Sequence, residues 1–235
     1  MTGTDTGVGK TAVAAGILAV LREEGLRAAP FKPVESGHDG PEGSWPPDAR
    51  ALHAASGLAL RRDEVVPYVL REPLAPLVGA RRDGVRIDLP RLDHAFADLE
   101  RRFDLVIVEG AGGLAVPVDK ETSMADLAKR WDLPVLIVAR AGLGSINHTV
   151  LTVEYARSKG LHVTGVVVNG YPPDPGVAEE TNPAVIRGMT GVPVLGILGW
   201  RSEVDIEAGR WVGMADEVRR RMDLGPVRGL LEAEA

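Results

Sequence analysis

Short apolar runs alternate with amphipathic stretches along most of the chain. The runs are apolar at nearly every position and rich in β-branched residues, which is typical of parallel strands covered on both faces. The predicted strands are Ala28–Val34, Leu105–Glu109, Pro134–Val138, His162–Val168 and Val192–Ile197. The predicted helices are Lys10–Glu24, Asp48–Ala55, Leu89–Arg102, Ser123–Arg130, Asn147–Lys159, Pro183–Met189 and Ala215–Arg221. Because strands and helices alternate, the pattern predicts an α/β fold with a doubly wound, mainly parallel sheet and helices on both faces.

The chain opens with the Gly-rich segment Gly3-Thr4-Asp5-Thr6-Gly7-Val8-Gly9-Lys10-Thr11, directly before a stretch with helical apolar spacing. A turn of this kind holds phosphate, because backbone N–H groups and the helix N-terminus converge on the anion. Five residues separate Gly3 from Gly9, one more than the strict pattern has, so an ordinary Gly-rich helix cap is the alternative. We expect Lys10 to reach the outer phosphates and the Thr11 hydroxyl to suit Mg²⁺.

Only Met1 and Thr2 precede this phosphate loop. A buried strand of about five residues normally leads into such a loop. Without it the centre of a parallel sheet would carry unpaired backbone groups, which is costly. We therefore expect a single P-loop ATPase-like domain over residues 1–235, with its first strand missing or truncated and the true start upstream.

Composition narrows the class of protein. The 235 residues are 45% hydrophobic and 26% charged, with a net charge of −6, which is compatible with one α/β domain. No basic run exceeds Arg219-Arg220-Arg221, which argues against nucleic-acid binding. The absence of Cys excludes disulfides and thiolate metal sites. The sequence has no signal-peptide pattern and no apolar run long enough for a membrane span, so we expect a cytoplasmic protein.

Four further polar motifs lie at the predicted strand ends or helix starts, where open α/β sheets place ligands. They are Phe31-Lys32-Pro33-Val34-Glu35-Ser36-Gly37, Asp48, Val108-Glu109-Gly110-Ala111-Gly112-Gly113 and Gly142-Leu143-Gly144-Ser145-Ile146-Asn147-His148-Thr149. Taken alone, Lys32 has the simpler reading of a solvated surface lysine, and Asp48 and Asn147 that of helix N-caps. Glu109 is harder to dismiss, since an acid that ends an apolar run is expected at a buried or ligand-binding position.

Together these motifs resemble the dethiobiotin synthetase family, from Thr2 to about Trp200. The resemblance implies an ATP-dependent cyclo-ligase of biotin biosynthesis. Carbon dioxide carbamylates one amine of 7,8-diaminononanoate, and the carbamate attacks the γ-phosphate of ATP to give a carbamic–phosphoric anhydride. The neighbouring amine then displaces phosphate, which yields dethiobiotin and ADP. Because one anion must approach another, positioning and charge neutralisation are the main catalytic tasks.

The resemblance also implies roles for individual residues. Lys10 and Lys32 are the expected catalytic residues, with Lys32 on the carbamate and the γ-phosphate. The expected Mg²⁺ ligands are Thr11, Asp48 and Glu109, with water completing the shell. The expected ATP-binding residues are Thr6, Gly7, Val8, Gly9, Lys10, Thr11, Asp48, Glu109, Gly110, Ala111, Gly112, Asn169, Gly170, Gly199, Trp200 and Arg201. The expected substrate-binding residues are Thr6, Lys32, Ser36, Gly112, Gly113, Asn147 and Asn182.

Some of these expectations concern the periphery of the site. Asn169, just after a predicted strand, has the donor and acceptor needed to read a base edge. Gly199 stands where the family pattern has Pro, which leaves base selectivity open. In the family the residue matching Asn147 reaches the substrate of the neighbouring subunit, so a homodimer is expected. Asn182 is the candidate for the substrate's carboxylate tail, with a polar helix cap as the alternative.

The sequence leaves two alternative functions to compare with this one. A cobyrinate synthase-like enzyme of the same superfamily normally carries an amidotransferase domain with a nucleophilic Cys, and this chain has no Cys and no room for it. An ATPase switch like ParA or MinD carries a signature Lys near the start of the loop, where this chain has Gly3 and Thr4. ATP turnover that ignores diaminononanoate and bicarbonate would indicate such a switch.

Overall fold

Parallel pairing connects every pair of neighbouring strands in the computed structural model, which describes residues 1–232. The strands are β1 (Thr2–Gly3), β2 (Ala28–Phe31), β3 (Val34–Ser36), β4 (Tyr68–Leu70), β5 (Leu105–Val108), β6 (Val135–Arg140), β7 (Val163–Tyr171) and β8 (Val194–Gly199). They form a four-stranded sheet in the order β1-β6-β7-β8 and the two pairs β2-β5 and β3-β4. The parallel α/β fold predicted from the hydrophobic pattern is confirmed.

Along the chain, eight helices lie between these strands and two follow the last strand among the described residues. They are α1 (Lys10–Glu23), α2 (Pro47–Ser56), α3 (Arg62–Val65), α4 (Pro76–Arg82), α5 (Leu89–Arg102), α6 (Met124–Arg130), α7 (Ser145–Ser158), α8 (Val177–Thr190), α9 (Val212–Arg221) and α10 (Gly225–Glu232). Within residues 1–232, no helix is both long enough and apolar enough to cross a membrane.

One predicted strand, Ala28–Val34, is wrong as a single element. The chain leaves β2 at Phe31 and starts β3 at Val34, which pairs with β4 instead of β5. The break falls at Lys32 and Pro33. The Lys32 N–H donates to the Val65 carbonyl oxygen, and Pro33 has no N–H that could bond a neighbouring strand. The side chain of Lys32 therefore stands at a strand end.

Two helix starts also differ from the prediction. Helix α7 begins at Ser145 and is capped by Gly144, whose φ of 91° suits glycine, so Asn147 lies inside the first turn and is not the cap. Helix α2 begins at Pro47 after an extended Pro46, so Asp48 is its second residue and not its N-cap. Helix α8 starts at Val177, six residues before the predicted Pro183, which lies inside it.

Helix α1 is the central packing element. Twelve consecutive residues, Lys10 to Leu21, are buried in it. Its Ala-rich sequence lets α2 and α9 pack closely against it, and Gly16 leaves no room for a Cβ beside Val218. One hydrophobic cluster consequently joins Val8 of the phosphate loop to Val227 of α10. The start of α1, and with it the phosphate loop, is fixed from several sides.

Candidate active site

The phosphate loop runs from β1 into α1. Gly9 caps the helix with a φ of 89°, and a Cβ there would lie 2.1 Å from Asn169 Nδ2. That amide nitrogen donates to the Val8 carbonyl oxygen at 2.9 Å and so ties the loop to the end of β7. Lys10 is buried, and its Nζ donates to the Asp5 carbonyl oxygen at 3.2 Å across the loop. The loop thus has the compact form in which backbone N–H groups can surround an anion.

Four side chains predicted for the reaction form one cluster beside this loop. Lys32 and Glu109 directly follow β2 and β5, which are paired in parallel, so the two side chains arise at the same sheet edge. Lys32 Nζ donates to Glu109 Oε1 at 2.7 Å and to Asp48 Oδ2 at 2.5 Å. Thr11 Oγ1 donates to the same Glu109 oxygen at 2.8 Å. The exposed fractions of Lys32 and Glu109 are 4% and 1%, so the cluster is largely withdrawn from water.

A fifth side chain, Glu35, supports this cluster and was not predicted as a site residue. Its Oε1 and Oε2 accept from the N–H groups of Asp48 and Ala49 at 2.8 and 2.9 Å. Glu35 therefore holds the first turn of α2, which carries the Asp48 carboxylate to Lys32. The only signal in the sequence is weak: an acidic residue that directly follows the predicted apolar strand Ala28–Val34.

The charged groups of the cluster shift one another's pKa values. Burial alone would lower the pKa of Lys32, but Glu109, Asp48 and Glu35 together outweigh it and hold that pKa above its ordinary value. Burial lowers the pKa of Lys10, with Lys32 adding to the effect and Glu109 opposing it. Burial also raises the pKa of Glu35 to about 7, against the attraction of Lys32. Lys32 therefore stays a cation at neutral pH.

The oxygen atoms here have the chemistry that Mg²⁺ prefers. Thr11, Asp48 and Glu109 offer hard oxygens, and Glu109 Oε2 is buried without a hydrogen-bond partner among the described residues. An orphaned buried carboxylate oxygen is costly unless a cation or donor reaches it. Residues 1–232 contain no group of three or more His, Cys, Asp or Glu side chains arranged to hold a metal. A Mg²⁺ ion would therefore need phosphate or water oxygens as further ligands.

The turn after Glu109 packs directly on the phosphate loop. Gly112 has a φ of 66°, and a Cβ there would lie 2.9 Å from Val116 and 3.7 Å from Thr6 Oγ1. A Cβ at Gly113 would lie 3.1 Å from the Gly3 carbonyl oxygen. The half-buried Ser36 ends β3, two residues beyond Val34. The glycines thus let two loops meet at the mouth of the cluster.

The residues predicted for adenine meet at the ends of β7 and β8. The Trp200 N–H donates to the Tyr171 carbonyl oxygen at 2.7 Å, and the Trp200 ring lies 3.9 Å from where a Cβ on Gly170 would be. The Gly199 N–H donates to Glu217 Oε2 at 2.9 Å. Asn169 Oδ1 is buried without a partner in the described part of the chain, while Trp200 is 68% exposed. An unpaired acceptor and an exposed ring thus lie on one side of the phosphate loop.

The two remaining candidates occupy different environments. Asn147 is exposed on the first turn of α7. Asn182 is buried in α8, where its Nδ2 donates to the Gly142 carbonyl oxygen at 2.8 Å and to Ser145 Oγ at 3.0 Å. Asn182 therefore fixes the loop that leads into α7, and no contact with the Lys32 cluster is present among its hydrogen bonds.

Similarity to known proteins agrees with this arrangement. A family model described as "AAA domain" matches residues 1–208. The ATP-dependent dethiobiotin synthetase BioD of Bacillus licheniformis is 43% identical over 197 residues, which is 84% of this chain and 83% of that protein. The protein of the same description from Bacillus thuringiensis strain Al Hakam is 42% identical over 200 residues, covering 84% and 81% of the two chains.

Solved structures resemble the fold at low sequence identity. A ParA family ATPase from Chlorobium tepidum TLS has a TM-score of 0.58 and 12% identity, with 93% of this chain and 95% of that chain covered. The MinC:MinD cell division protein complex of Aquifex aeolicus includes a chain with a TM-score of 0.54 and 15% identity, each chain being covered to 93%. At these identities the likeness concerns the fold alone.

Proposed function

The chain belongs to the family of ATP-dependent dethiobiotin synthetases, and we propose that the Lys32 cluster and the phosphate loop are its catalytic site. It is an ATP-dependent ligase that forms dethiobiotin, and ParA and MinD are relatives at the level of the superfamily. In the proposed reaction the carbamate of 7,8-diaminononanoate attacks the γ-phosphate of ATP. The neighbouring amine of the resulting anhydride then displaces phosphate and closes the ring.

The two lysines counter the repulsion between the reacting anions. Lys10 starts α1, and there it would bridge the outer phosphates, as expected of a phosphate-loop lysine. Lys32 would hydrogen-bond the carbamate oxygen and the transferring phosphoryl group, and so stabilise the charge that develops between them. Burial strengthens such contacts, because little water remains to screen them.

Thr11, Asp48 and Glu109 would hold Mg²⁺, which is a proposal based on their hard oxygens and on the orphaned Glu109 Oε2. When bound, the ion neutralises phosphate charge and orients the phosphoryl group. Lys32 shares both carboxylates with this set of ligands. The two acids that hold its ammonium group in place are therefore the same acids that would bind the ion.

The roles of the remaining site residues are proposed from their positions in the fold. We propose that Thr6, Gly112 and Gly113, which lie where the two loops meet, surround the diamine together with Ser36 at the end of β3. Further ATP contacts are proposed for the loop residues Gly7, Val8 and Gly9, and for Gly110 and Ala111 after Glu109. Asn169, Gly170, Gly199, Trp200 and Arg201 are proposed for adenine. Of these, Asn169 Oδ1 is the free acceptor suited to an exocyclic amine.

We also propose that the protein acts as a homodimer of single P-loop domains. The segment containing α7 and α8 presents several large exposed apolar side chains, including Leu143 at 84%, Val177 at 76%, Met189 at 61% and Leu151 at 60%. Exposed apolar surface of this kind favours association with another protein surface. Asn147 is exposed on the same segment, and in the proposed dimer it would contact the substrate tail bound by the other subunit. We propose that Asn182 acts on the substrate's carboxylate tail indirectly, because it fixes the loop that leads into α7.

The single observation that carries the proposal is the double hydrogen bond of buried Lys32 to Asp48 and Glu109 beside Thr11. The test is the change of Lys32 to Gln. With diaminononanoate, bicarbonate, Mg²⁺ and ATP, we expect dethiobiotin formation to fall by a factor of about 10³, since a charge aimed at the transition state is lost. ATP affinity at saturating Mg²⁺, measured by calorimetry, should change less than about threefold.

The change of Lys129 to Gln is the matched control, because that lysine is exposed on α6. It should leave turnover and ATP affinity unchanged. If Lys32→Gln instead abolishes ATP binding while turnover per bound ATP is preserved, the carbamate role is wrong. If the wild-type chain hydrolyses ATP at one rate with and without both co-substrates, the proposed reaction is wrong.

A further inference from the structure

Glu217 is a buried acidic residue outside the Lys32 cluster, and the proposed reaction does not use it. It lies on α9, where Met214, Ala215 and Val218 are buried apolar residues of the hydrophobic cluster around α1. An apolar side chain would suit such surroundings, whereas a buried carboxylate is costly unless hydrogen bonds and opposite charges compensate it. The contacts of Glu217 therefore indicate what its charge is used for.

The carboxylate contacts the chain where it leaves β8. Glu217 Oε2 accepts from the Gly199 N–H at 2.9 Å, and Glu217 Oε1 lies 3.7 Å from Arg201 Nη1. Both partners belong to segment 199–201, for which contact with adenine is proposed above, and the exposed Trp200 lies between them. Arg221, one turn further along α9, places its Nε 3.2 Å from Glu217 Oε2. One backbone N–H and two arginines thus compensate the buried charge.

The hydrogen bond to Gly199 fixes the end of β8 from outside the sheet. Gly199 is the last residue of β8, and its N–H bonds the Glu217 side chain instead of a neighbouring strand. The next residue, Trp200, donates its N–H to the Tyr171 carbonyl oxygen of β7 at 2.7 Å. The chain then runs through turns over residues 201–211 before α9 begins. Glu217 therefore gives the start of this connection a second fixed point.

Helix α9 also packs against the helix that begins at the phosphate loop. A Cβ on Gly16 of α1 would lie 2.8 Å from Val218 Cγ2 and 2.9 Å from the Met214 carbonyl oxygen, so the two helices are in close contact. Close-packed elements resist displacement relative to one another. Through α9 and α1, Glu217 thus relates the position of segment 199–201 to that of the phosphate loop.

We propose that Glu217 is a positioning residue for the nucleotide base, an inference that rests on the adenine contacts assigned to segment 199–201 under the proposed function. The carboxylate fixes the Gly199 backbone and attracts the Arg201 side chain toward α9. Segment 199–201 is then already ordered before a nucleoside triphosphate binds. Because a preformed surface needs less ordering on binding, it raises the affinity for the base. A ligand without a base gains nothing from it.

The test compares ATP with tripolyphosphate, which has the phosphates and no base, each in the presence of Mg²⁺. In Glu217→Ala, calorimetry should show ATP binding about tenfold weaker or more, because a hydrogen bond to a charged acceptor is lost. Tripolyphosphate binding should change less than about twofold. In turnover, the KM for ATP should rise while kcat stays nearly constant.

Two further variants serve as the comparison. Glu217→Gln keeps an acceptor for the Gly199 N–H and should bind ATP within about threefold of wild type. Arg220→Ala removes an exposed charge from the same helix and should bind both ligands as wild type does. Equal losses in Glu217→Gln and Glu217→Ala would contradict the role of the hydrogen bond and overturn the inference.

A double variant tests the hydrogen bond directly. Gly199→Pro removes the N–H and places a ring carbon against Glu217 Oε2, so this change alone should also weaken ATP binding about tenfold. When it is combined with Glu217→Ala, the ring has space and no donor is left without its acceptor. The double variant should therefore bind ATP no more weakly than either single variant. Losses that multiply to about a hundredfold would contradict the inference.

The remaining outcomes separate this inference from the proposed function. Equal losses for ATP and tripolyphosphate in Glu217→Ala, or a lower melting temperature with unchanged ATP affinity, would mean that Glu217 supports only the fold. Either result would overturn the inference, and the adenine assignment would stand as long as wild type binds ATP more tightly than tripolyphosphate. If wild type binds both ligands equally, the adenine assignment itself is wrong and the inference falls with it.

Discussion

A buried ammonium group between two carboxylates is the arrangement on which the site depends at the residue scale. Removing one member of such a cluster leaves an uncompensated charge and typically costs about 3–5 kcal/mol. Asp48 and Glu109 compensate the buried charge of Lys32, so this cost does not arise while the cluster is intact. Glu109 contributes a second oxygen that no described residue satisfies. The cluster therefore has one more carboxylate than ammonium group and an oxygen without a hydrogen bond, which suits a site that binds a cation.

Replacing Glu109 by Gln keeps the shape of this side chain and removes its charge. We expect the Mg²⁺ concentration for half-maximal turnover to rise at least about tenfold, since a charged hard ligand becomes a neutral one. A readout independent of turnover is Mg²⁺-dependent ATP binding, measured by calorimetry. Glu207→Gln, an exposed change, is the control. An unchanged Mg²⁺ titration would reject Glu109 as a ligand.

Glu35 offers a second test, because its action is indirect. Glu35→Ala removes the acceptor for the Asp48 and Ala49 amides, so the start of α2 loses its anchor and the Asp48 carboxylate its fixed position. We expect turnover to fall about tenfold or more and the Mg²⁺ requirement to rise with it. Glu35→Gln keeps one acceptor oxygen and should restore most of the turnover. If both variants are equally impaired, or only the melting temperature changes, the positioning role is wrong.

The motifs that contain Lys32, Asp48 and Glu109 were predicted at strand ends or at a helix start, and their shared role was implied by the family resemblance. The partnership itself could not be read from spacing, since Lys32 and Glu109 are far apart in the chain and meet through the pairing of β2 with β5. Glu35 was missed for a related reason. Its partners are backbone N–H groups of α2, which carry no signature in the sequence.

At the scale of elements, most strands and helices were predicted, whereas β3, β4, α3, α4 and α10 were not predicted as separate elements. Strands β3 and β4 have three residues each, and α3 has four, which is too few for a hydrophobic period to show. Tyr68–Leu70 and Val34–Ser36 become strands only because they pair with each other. The predicted strand Ala28–Val34 merged β2 with the start of β3, since apolar character continues across the break at Lys32.

Helix α6 allows a quantitative test of local structure. Ser123 caps it, and Asp126 accepts from the Ser123 N–H at 2.9 Å and from Lys159 Nζ at 2.9 Å. The hydrogen bond from the Ser123 hydroxyl is the main cause that lowers the pKa of Asp126 from 3.8 to about 2. Its ionised form therefore stabilises the fold above pH 4, and this contribution is lost as the pH falls toward 2.

Asp126→Asn should accordingly lower the free energy of unfolding by about 1 kcal/mol at pH 7, a value kept small because the side chain is partly exposed. Urea unfolding at pH 7, 4 and 3 should show this difference shrinking as the medium becomes acidic. The exposed change Asp174→Asn is the control and should show no such trend. A difference between wild type and Asp126→Asn that is constant with pH would contradict the assignment.

At the scale of the whole molecule, the carboxyl ends of the parallel strands bring the chemistry to one edge. The phosphate loop, Lys32, Glu109 and Asn169 follow β1, β2, β5 and β7 or lie at their ends. Helix α1 fixes the loop through its contacts with α2 and α9, and the cluster from Val8 to Val227 joins these elements. The hydrophobic pattern was enough to predict the alternation of strands and helices behind this layout, because the longer elements each have a clear apolar face or run.

The proposed homodimer makes a prediction that involves two molecules. Each site would combine Lys32 of one subunit with Asn147 of the other. Lys32→Gln and Asn147→Ala should each be poorly active alone. If subunits exchange freely after equal mixing, half of the dimers contain one intact site, so about a quarter of wild-type turnover should return. Dethiobiotin formation by the mixture, followed over the time of subunit exchange, measures this recovery.

The control mixture combines Lys32→Gln with Lys129→Gln. The exposed change Lys129→Gln takes the place of Asn147→Ala. In this mixture, every site that uses Lys32 of a Lys129→Gln subunit is intact in both homodimers and heterodimers. The turnover of the mixture should therefore be half of wild type from the moment of mixing and should not grow. The mixture with Asn147→Ala should start near zero and grow, because only newly formed heterodimers pair an intact Lys32 with an intact Asn147. Absence of growth, with exchange verified by mass labelling, would mean that each site draws both residues from one chain.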